Sequence, residues 1–276
     1  MVDRKPIGAE LTFWDGRAPQ FDASIIMTIY QAQGTLAEAV ASIFDQEVAP
    51  GTRVQLIMGV DPSNDGTWEL ARALVAAPPA WLTVDCFLNE LPNIVLGGRR
   101  TGRSNFLNCY SRIRGSTVLF LNCDDAWRTT TKLQAQIDHT RRTGEATCTA
   151  LETDAPNLKR MNDVAEIKDP FRSGNSILMS SFATPYIPLG RDRFWWDCPF
   201  LDWPIVCVCW HRFGITRLLA EKTFYRLSNT GAWSSQKPEV KQVLIRSAVH
   251  QMILRGPYPL SRKVALVKYL RTLKKK

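Results

Sequence analysis

The chain has 276 residues, 45% of them hydrophobic, enough to bury a sizeable core as one large domain or one domain with a small appendage. There is no eighteen-residue apolar window, no apolar run after the charged MVDRKPIGAE start, and no CxxC pair among seven scattered cysteines. A transmembrane helix, a secretory signal, a zinc site and a disulfide framework are therefore unexpected, and reduced thiols in a cytosolic compartment are expected. The net charge of +9 is local: Lys237 to Lys276 holds eleven Lys or Arg against one acid, leaving 24 basic and 25 acidic residues elsewhere. Charge confined to a tail, rather than spread over a face, argues against a nucleic-acid partner.

In chain order, Ser24 to Ile29 is β-branched and apolar, a strand signal. Thr35 to Glu38 has capping-box spacing and opens a periodic helix to about Gln46. Val54 to Val60 is a second strand, ending in the turn Asp61-Pro-Ser-Asn-Asp65-Gly66, with a helix over about Thr67 to Ala77. Leu82 to Leu88 is a third strand. A Gly- and Arg-rich loop, Gly97 to Gly102, leads to a helix near Ser104 to Ile113. Thr117 to Leu121 is the next strand and Thr130 to Thr143 the next helix. Four alternations of strand and helix predict a mostly parallel sheet with helices on both faces. Ligands of such sheets bind beyond the carboxyl ends of the strands, where Asp61 and Asp124 fall. Residues 145–200 show few clear periods. Trp195, Trp196, Phe200 and Trp203 cluster around Asp197 and Asp202, and Pro204 to Phe213 reads as a helix with Pro in its first turn.

The stretch LFLNCDDAW, Leu119 to Trp127, empties an apolar strand into adjacent carboxylates, Asp124 and Asp125. Like charges so placed repel; they are solvated, cap a helix, or hold a cation.

Five blocks in order carry a resemblance. ASIIMTIYQAQGTLAEAVASIFDQ, VQLIMGVDPSNDGTWELARAL, NCYSRIRGSTVLFLNCDDAWRTTTKL, FLDWPIVCVCWHRFGI and FYRLSNTGAWS together resemble the family 2 glycosyltransferases over roughly residues 22–235. The resemblance implies a GT-A (Rossmann-like) fold, a nucleoside-diphosphate sugar donor, and Mn²⁺ or Mg²⁺. It divides the chain into a glycosyltransferase domain over 1–235 and a basic helical tail over 236–276. Within the domain it expects a nucleotide-sugar-binding half over 22–130 and an irregular acceptor-binding half over 131–235. Ile29, Val60, Asn122, Leu201 and Ser228 depart from the family pattern, which puts nucleobase contacts and metal affinity in question.

By resemblance, Asp125 binds the metal directly and Asp124 contacts the ribose or a metal-bound water. A hard cation held by carboxylate oxygen neutralises a departing diphosphate. Asp202 is the candidate general base of an inverting, hexosyltransferase-type enzyme, taking the acceptor hydroxyl's proton. It is equally placed to cap the helix before Pro204, and Asp197 is its rival. Tyr30 and Asp61 are expected at the base or ribose, the bland alternatives being a half-buried tyrosine and a turn-forming aspartate. Asp65-Gly66 reads as turn chemistry. Arg226 is expected over the diphosphate, and Trp233 and Ser234 as part of a lid. Arg99, Arg100 and Arg103 read as a solvated loop, with phosphate contact as the alternative; His139, His211, Cys207 and Cys209 read as structural.

In the tail, Leu260, Val264, Val267, Leu270 and Leu273 form one stripe beside Arg262, Lys263, Lys268 and Arg271. This is either an interfacial basic helix or a helix packed on the domain. The expected acceptor is a glycan or lipid-linked glycan of surface polysaccharide synthesis. The expected location is cytoplasmic, peripheral on the inner membrane face through 260–276. The alternatives are a catalytically degenerate nucleotide- or glycan-binding member of the same fold, and an adaptor working through the basic tail.

Overall fold

The computed structural model describes residues 11–92, 95–96, 99–154, 167–189, 192–227 and 236–273, with backbone alone for 95–96 and 99–100. In chain order the elements are β1 (Phe21–Ile29), α1 (Leu36–Phe44), β2 (Val54–Val60), α2 (Thr67–Leu74) and β3 (Leu82–Leu88). Then come a small hairpin of β4 (Val95–Leu96) and β5 (Arg99–Arg100), α3 (Arg103–Ser111), β6 (Gly115–Phe120), β7 (Ala126–Trp127), α4 (Lys132–Thr143) and β8 (Ala146–Thr153). The second half adds α5 (Pro170–Ser173), β9 (Phe182–Pro185), α6 (Arg193–Asp197), α7 (Asp202–Arg212), β10 (Ile215–Tyr225), α8 (Pro238–Leu254) and α9 (Leu260–Thr272).

Eight strands form one mixed sheet in the order β3-β2-β1-β6-β9-β8-β10-β7. The first four run parallel, β9 is antiparallel to both β6 and β8, and β7 closes the far edge antiparallel to β10. Parallel strands covered on both faces read as continuous apolar runs, and every residue of β2 is buried. The strand alternation splits β1 between two cores. Ile25, Met27 and Ile29 pack with α1, α2 and α4, while Ile26 packs on the other face with α3, α7, α8 and α9. This is the expected GT-A-type architecture, a mostly parallel sheet covered on both faces.

Four local expectations change. The Thr35–Glu38 spacing does not make a capping box. The Thr35 hydroxyl donates to the Cys123 carbonyl at 2.8 Å, and Glu38 pairs with Arg128 and Arg226. Asp202 is the first residue of α7 rather than its cap; Leu201 holds the cap position without a side-chain bond. The strands β8 and β9 fall within 145–200, where few clear periods are read, and β7 and β10 fall where no strand is expected. β10 in particular is mixed in burial and shifts register against β8 between Leu218 and Lys222, so its alternation is broken.

The fourth concerns the tail. Its apolar stripe is only partly its inner face: Leu270 packs on the core, but Leu260 and Val264 are 77% and 46% exposed. Leu266 is fully buried instead, Tyr269 meets Trp203 edge-on at 5.5 Å, and Arg262 reaches Asp169 at 2.9 Å. With Ala248, Val249 and Met252 of α8 buried in the same core, the described segment 236–273 is largely helical and packs into the same core as the second half.

Candidate active site

The register aligns Ile29 with Val60 and Ile26 with Phe120, so the carboxyl ends of β1, β2 and β6 open on one edge of the sheet. The residues that follow each strand are therefore neighbours: Tyr30, Asp61, and Asn122 to Asp125. The loop after β1 is stitched to the turn after β2. The Gln31 amide donates to the Ser63 hydroxyl at 3.0 Å, and the Ala32 amide donates to the Thr67 hydroxyl at 2.9 Å. Asp65 accepts from the Thr67 hydroxyl at 2.6 Å, which lowers its pKa, and Gly66 is left-handed at φ 78°. Asp65-Gly66 is thus turn chemistry. Asp61 is buried, its Oδ1 accepting from the Asn89 amide at 2.8 Å, and Asn89 in turn accepts from Asn108. Tyr30 stands 42% exposed on the rim.

The two adjacent carboxylates have different environments. Asp125 is buried and its carboxylate receives three donors: the Asn122 side-chain amide at 3.1 Å, the Ser180 hydroxyl, and the Arg226 backbone N–H at 3.0 Å. Burial, reinforced by the charge of Asp124, pushes its carboxyl up to about 7 despite those donors. Asp124 is half-buried, its pKa raised by burial against the opposing Arg226 charge. The Arg226 side chain donates from Nε to the Asp124 carbonyl at 3.1 Å and pairs with Glu38. Arg226 thereby ties β10 to both the aspartate turn and α1.

A cavity of about 550 Å³ extends from this edge into the second half. Thr28, Asn122 and Tyr225 at the sheet line it together with Asn175, Phe200, Asp202, Trp203, Ile245 and Tyr269 of the second half. Asp202 Oδ2 accepts from the Asn175 amide at 3.2 Å, while Oδ1 is buried without a partner. Burial raises the pKa of this carboxyl, because taking a carboxylate out of water disfavours its charged form. Asp197, the rival, is absent from this lining and pairs with Arg255 and Arg193.

The sequence from residue 24 to residue 183, more than half of the chain, matches the family model described as Glycosyl transferase family 2. The chain belongs to that family. Its fold is that of S. aureus TarS, at 14% identity and a TM-score of 0.60, with 90% of this chain covered but only 42% of that one. A shorter TarS chain, residues 1–349, in complex with UDP-GlcNAc matches at 15% identity and TM-score 0.60, covering 90% of this chain and 71% of that one. The mannosyltransferase PcManGT from Pyrobaculum calidifontis, in complex with GDP-Man and Mn²⁺, matches at 13% identity and TM-score 0.58, covering 99% and 77%. No curated protein matches the sequence.

For a family 2 member, the donor chemistry at the sheet edge fits a metal of the Mg²⁺ or Mn²⁺ kind. Such ions take one or two protein carboxylates and complete their shell with phosphate and water. Among the described residues no group of three His, Cys, Asp or Glu is poised around a common point, so a cage made of protein alone is not what these residues build.

Several site residues escaped sequence reasoning. Ser180 and Asn175 sit in the irregular stretch with no motif to mark them. Arg103 was assigned to a solvated loop, yet it is 5% exposed and lines the cavity; its place at the head of α3 was the missed signal. The side chains of Arg99 and Arg100, and Ser228, Trp233 and Ser234 of the expected lid, lie outside the described residues. His139 bonds Glu145 at 3.1 Å, and Cys207 and Cys209 are buried core.

Proposed function

We propose that this chain is an inverting, metal-dependent glycosyltransferase that moves a hexose from a nucleoside-diphosphate donor to a hydroxyl of a glycan or lipid-linked glycan. The observation that carries the reading is one sugar-sized cavity lined both by Asn122, in the turn that bears Asp124 and Asp125, and by Asp202. Pockets of this volume suit small ligands.

In this reading the nucleotide lies along Tyr30 and Asp61, with its diphosphate toward Asp124 and Arg226. A bound Mn²⁺ or Mg²⁺ supplies charge neutralisation for the leaving diphosphate. The three donors on Asp125 favour exchanging the two expected aspartate roles: Asp124 holds the ion, and Asp125 anchors the turn to Ser180 and Arg226. The Arg226 guanidinium, already beside Asp124, adds positive charge where negative charge develops. Asp202 removes the proton from the acceptor hydroxyl as that oxygen attacks the anomeric carbon on the face opposite the diphosphate. Its raised pKa makes it a stronger base than an ordinary carboxylate.

The tail supplies a further partner. Val243, Leu254, Leu260 and Val264 are exposed on α8 and α9 among lysines and arginines, a pattern suited to an anionic membrane surface on the cytoplasmic side. Co-sedimentation with anionic vesicles, absent with neutral ones and lost on replacing Leu260 and Val264 by Asp, is the expected result. No helix among the described residues is long and apolar enough to cross a membrane.

The deciding experiment is calorimetry with a panel of sugar nucleotides, with and without Mn²⁺, paired with donor hydrolysis. Metal-dependent binding with slow hydrolysis supports the enzyme. Binding with neither hydrolysis nor transfer marks a degenerate binding member, and no binding at all refutes the proposal.

A further inference from the structure

Arg103 opens α3 behind the left-handed Gly102, which provides no side-chain cap. Both residues line the cavity. The Arg103 N–H donates to the Thr101 hydroxyl at 3.4 Å, and the helix presents to the cavity an amino-terminal end whose macrodipole favours negative charge. The Arg103 side chain adds a full positive charge at the same place. It is 5% exposed, its Nη1 donates to the Cys198 carbonyl, and its Nε is buried without any partner. No carboxylate lies within ion-pair distance of it among the described residues: the nearby Asp197 is taken by Arg193 and Arg255. Burial lowers the pKa of the guanidinium, as expected for a cation removed from water without a counter-charge.

A buried, unneutralised guanidinium is costly unless something completes it. Asp125 is buried with three donors, and half-buried Asp169 is held by Arg262 and by the Phe171 amide. Arg103 stands apart from them. It lines the same cavity as Asp202 and is bonded to Cys198, between α6 and α7.

We propose that Arg103 and the amino-terminal end of α3 form an oxyanion subsite for the acceptor, so that the preferred acceptor carries a carboxylate or phosphate beside the hydroxyl that is glycosylated. A guanidinium's planar fork of N–H donors matches either group bidentately. The inference rests on the glycosyltransferase reading for the word acceptor, but the anion subsite itself does not.

The probes are glucuronate for carboxylate and glycerol 3-phosphate for phosphate, each against its neutral counterpart, glucose or glycerol. Binding to the full chain is measured by ligand-observed NMR in the presence of EDTA, which removes any metal-borne anion site. The wild-type chain is expected to bind at least one anionic probe about tenfold more tightly than its neutral counterpart, and the better probe names the group. Arg103→Gln should abolish that preference, and Arg103→Lys should keep part of it by retaining charge without the fork. The lysine variant also serves if the glutamine variant does not fold. Anionic probes that bind no better than neutral ones, or a preference unchanged in both variants, overturn the subsite. Sugar-nucleotide binding with Mn²⁺, measured on an EDTA-free portion of the same wild-type preparation, separates the two claims. If it succeeds while the anionic probes fail, the subsite falls and the glycosyltransferase reading stands. If it fails while the Arg103-dependent preference holds, the subsite stands and the enzyme reading falls.

Discussion

The sheet edge and the α7 end of the site are built on opposite principles. At the sheet edge, buried polar groups are satisfied by the protein: Asp125 by Asn122, Ser180 and Arg226, Asp61 by Asn89, and Asn89 by Asn108. At the α7 end, Asp202 Oδ1 and Arg103 Nε are buried without partners. Buried polar groups in folded proteins are almost always paired, and an unpaired one costs about 1–3 kcal/mol. The difference separates scaffold from working surface. A satisfied carboxylate fixes the shape of a turn, whereas an unsatisfied one retains capacity for a ligand.

The sharpest way to break this contrast is Asp202→Asn. It should reduce transfer by about 10²–10⁴-fold while leaving sugar-nucleotide affinity near wild type, as read by steady-state kinetics and calorimetry. Wild-type turnover in this variant removes Asp202 from the chemistry. Next in size, Asp124→Asn should abolish Mn²⁺-dependent donor binding, whereas Asp125→Asn, which sets its NH₂ against one of the three donors and so loosens the turn, should weaken it less. The reverse order would restore Asp125 as the direct ligand.

Stability should move the other way. Leu266→Ala, in the α9 position fully buried against the second core, should cost about 2–5 kcal/mol in chemical denaturation. Loss on this scale requires the tail to belong to the folded unit, and a near-silent change would make it an appendage. Ser180→Ala removes a donor from buried Asp125 and should cost about 1–3 kcal/mol. Asp202→Asn should cost little or raise the melting temperature, because it discharges an unsatisfied group.

The smallest effect is a slope with pH. The folded pKa of Asp202 is raised, so between the ordinary carboxylate range and that raised value the folded state binds more protons than the unfolded one. Stability from this group is therefore lost as pH rises through that window. The melting-temperature advantage of Asp202→Asn should grow with pH there. Transfer by the wild type should fall off on the acid side at a pH above the ordinary carboxylate range, because the base is then protonated.

The first half of the fold was readable because local signals and tertiary context agree. β3 matches its expected bounds, and β1 and β2 follow from β-branched and apolar runs. Asp124 and Asp125 were visible because two charges after an apolar strand need an explanation. Thr35 and Glu38 show how local reading fails: the spacing suits a cap, but both side chains reach across the chain, to Cys123 and to Arg128 and Arg226. Long-range partners leave no periodic trace.

By itself, then, the sequence determined an alternating α/β fold, the sheet edge at which Tyr30, Asp61 and Asp124 gather, and a basic helical tail. Those follow from side-chain periodicity and from where strands end, which are properties of neighbouring residues. Only the tertiary structure decided that Asp125 is saturated while Asp202 is not, that Arg103 is buried in the cavity, and that Tyr269 of the tail forms part of its wall. Each of those depends on which distant groups come within hydrogen-bonding distance, and that is fixed by packing rather than by spacing along the chain.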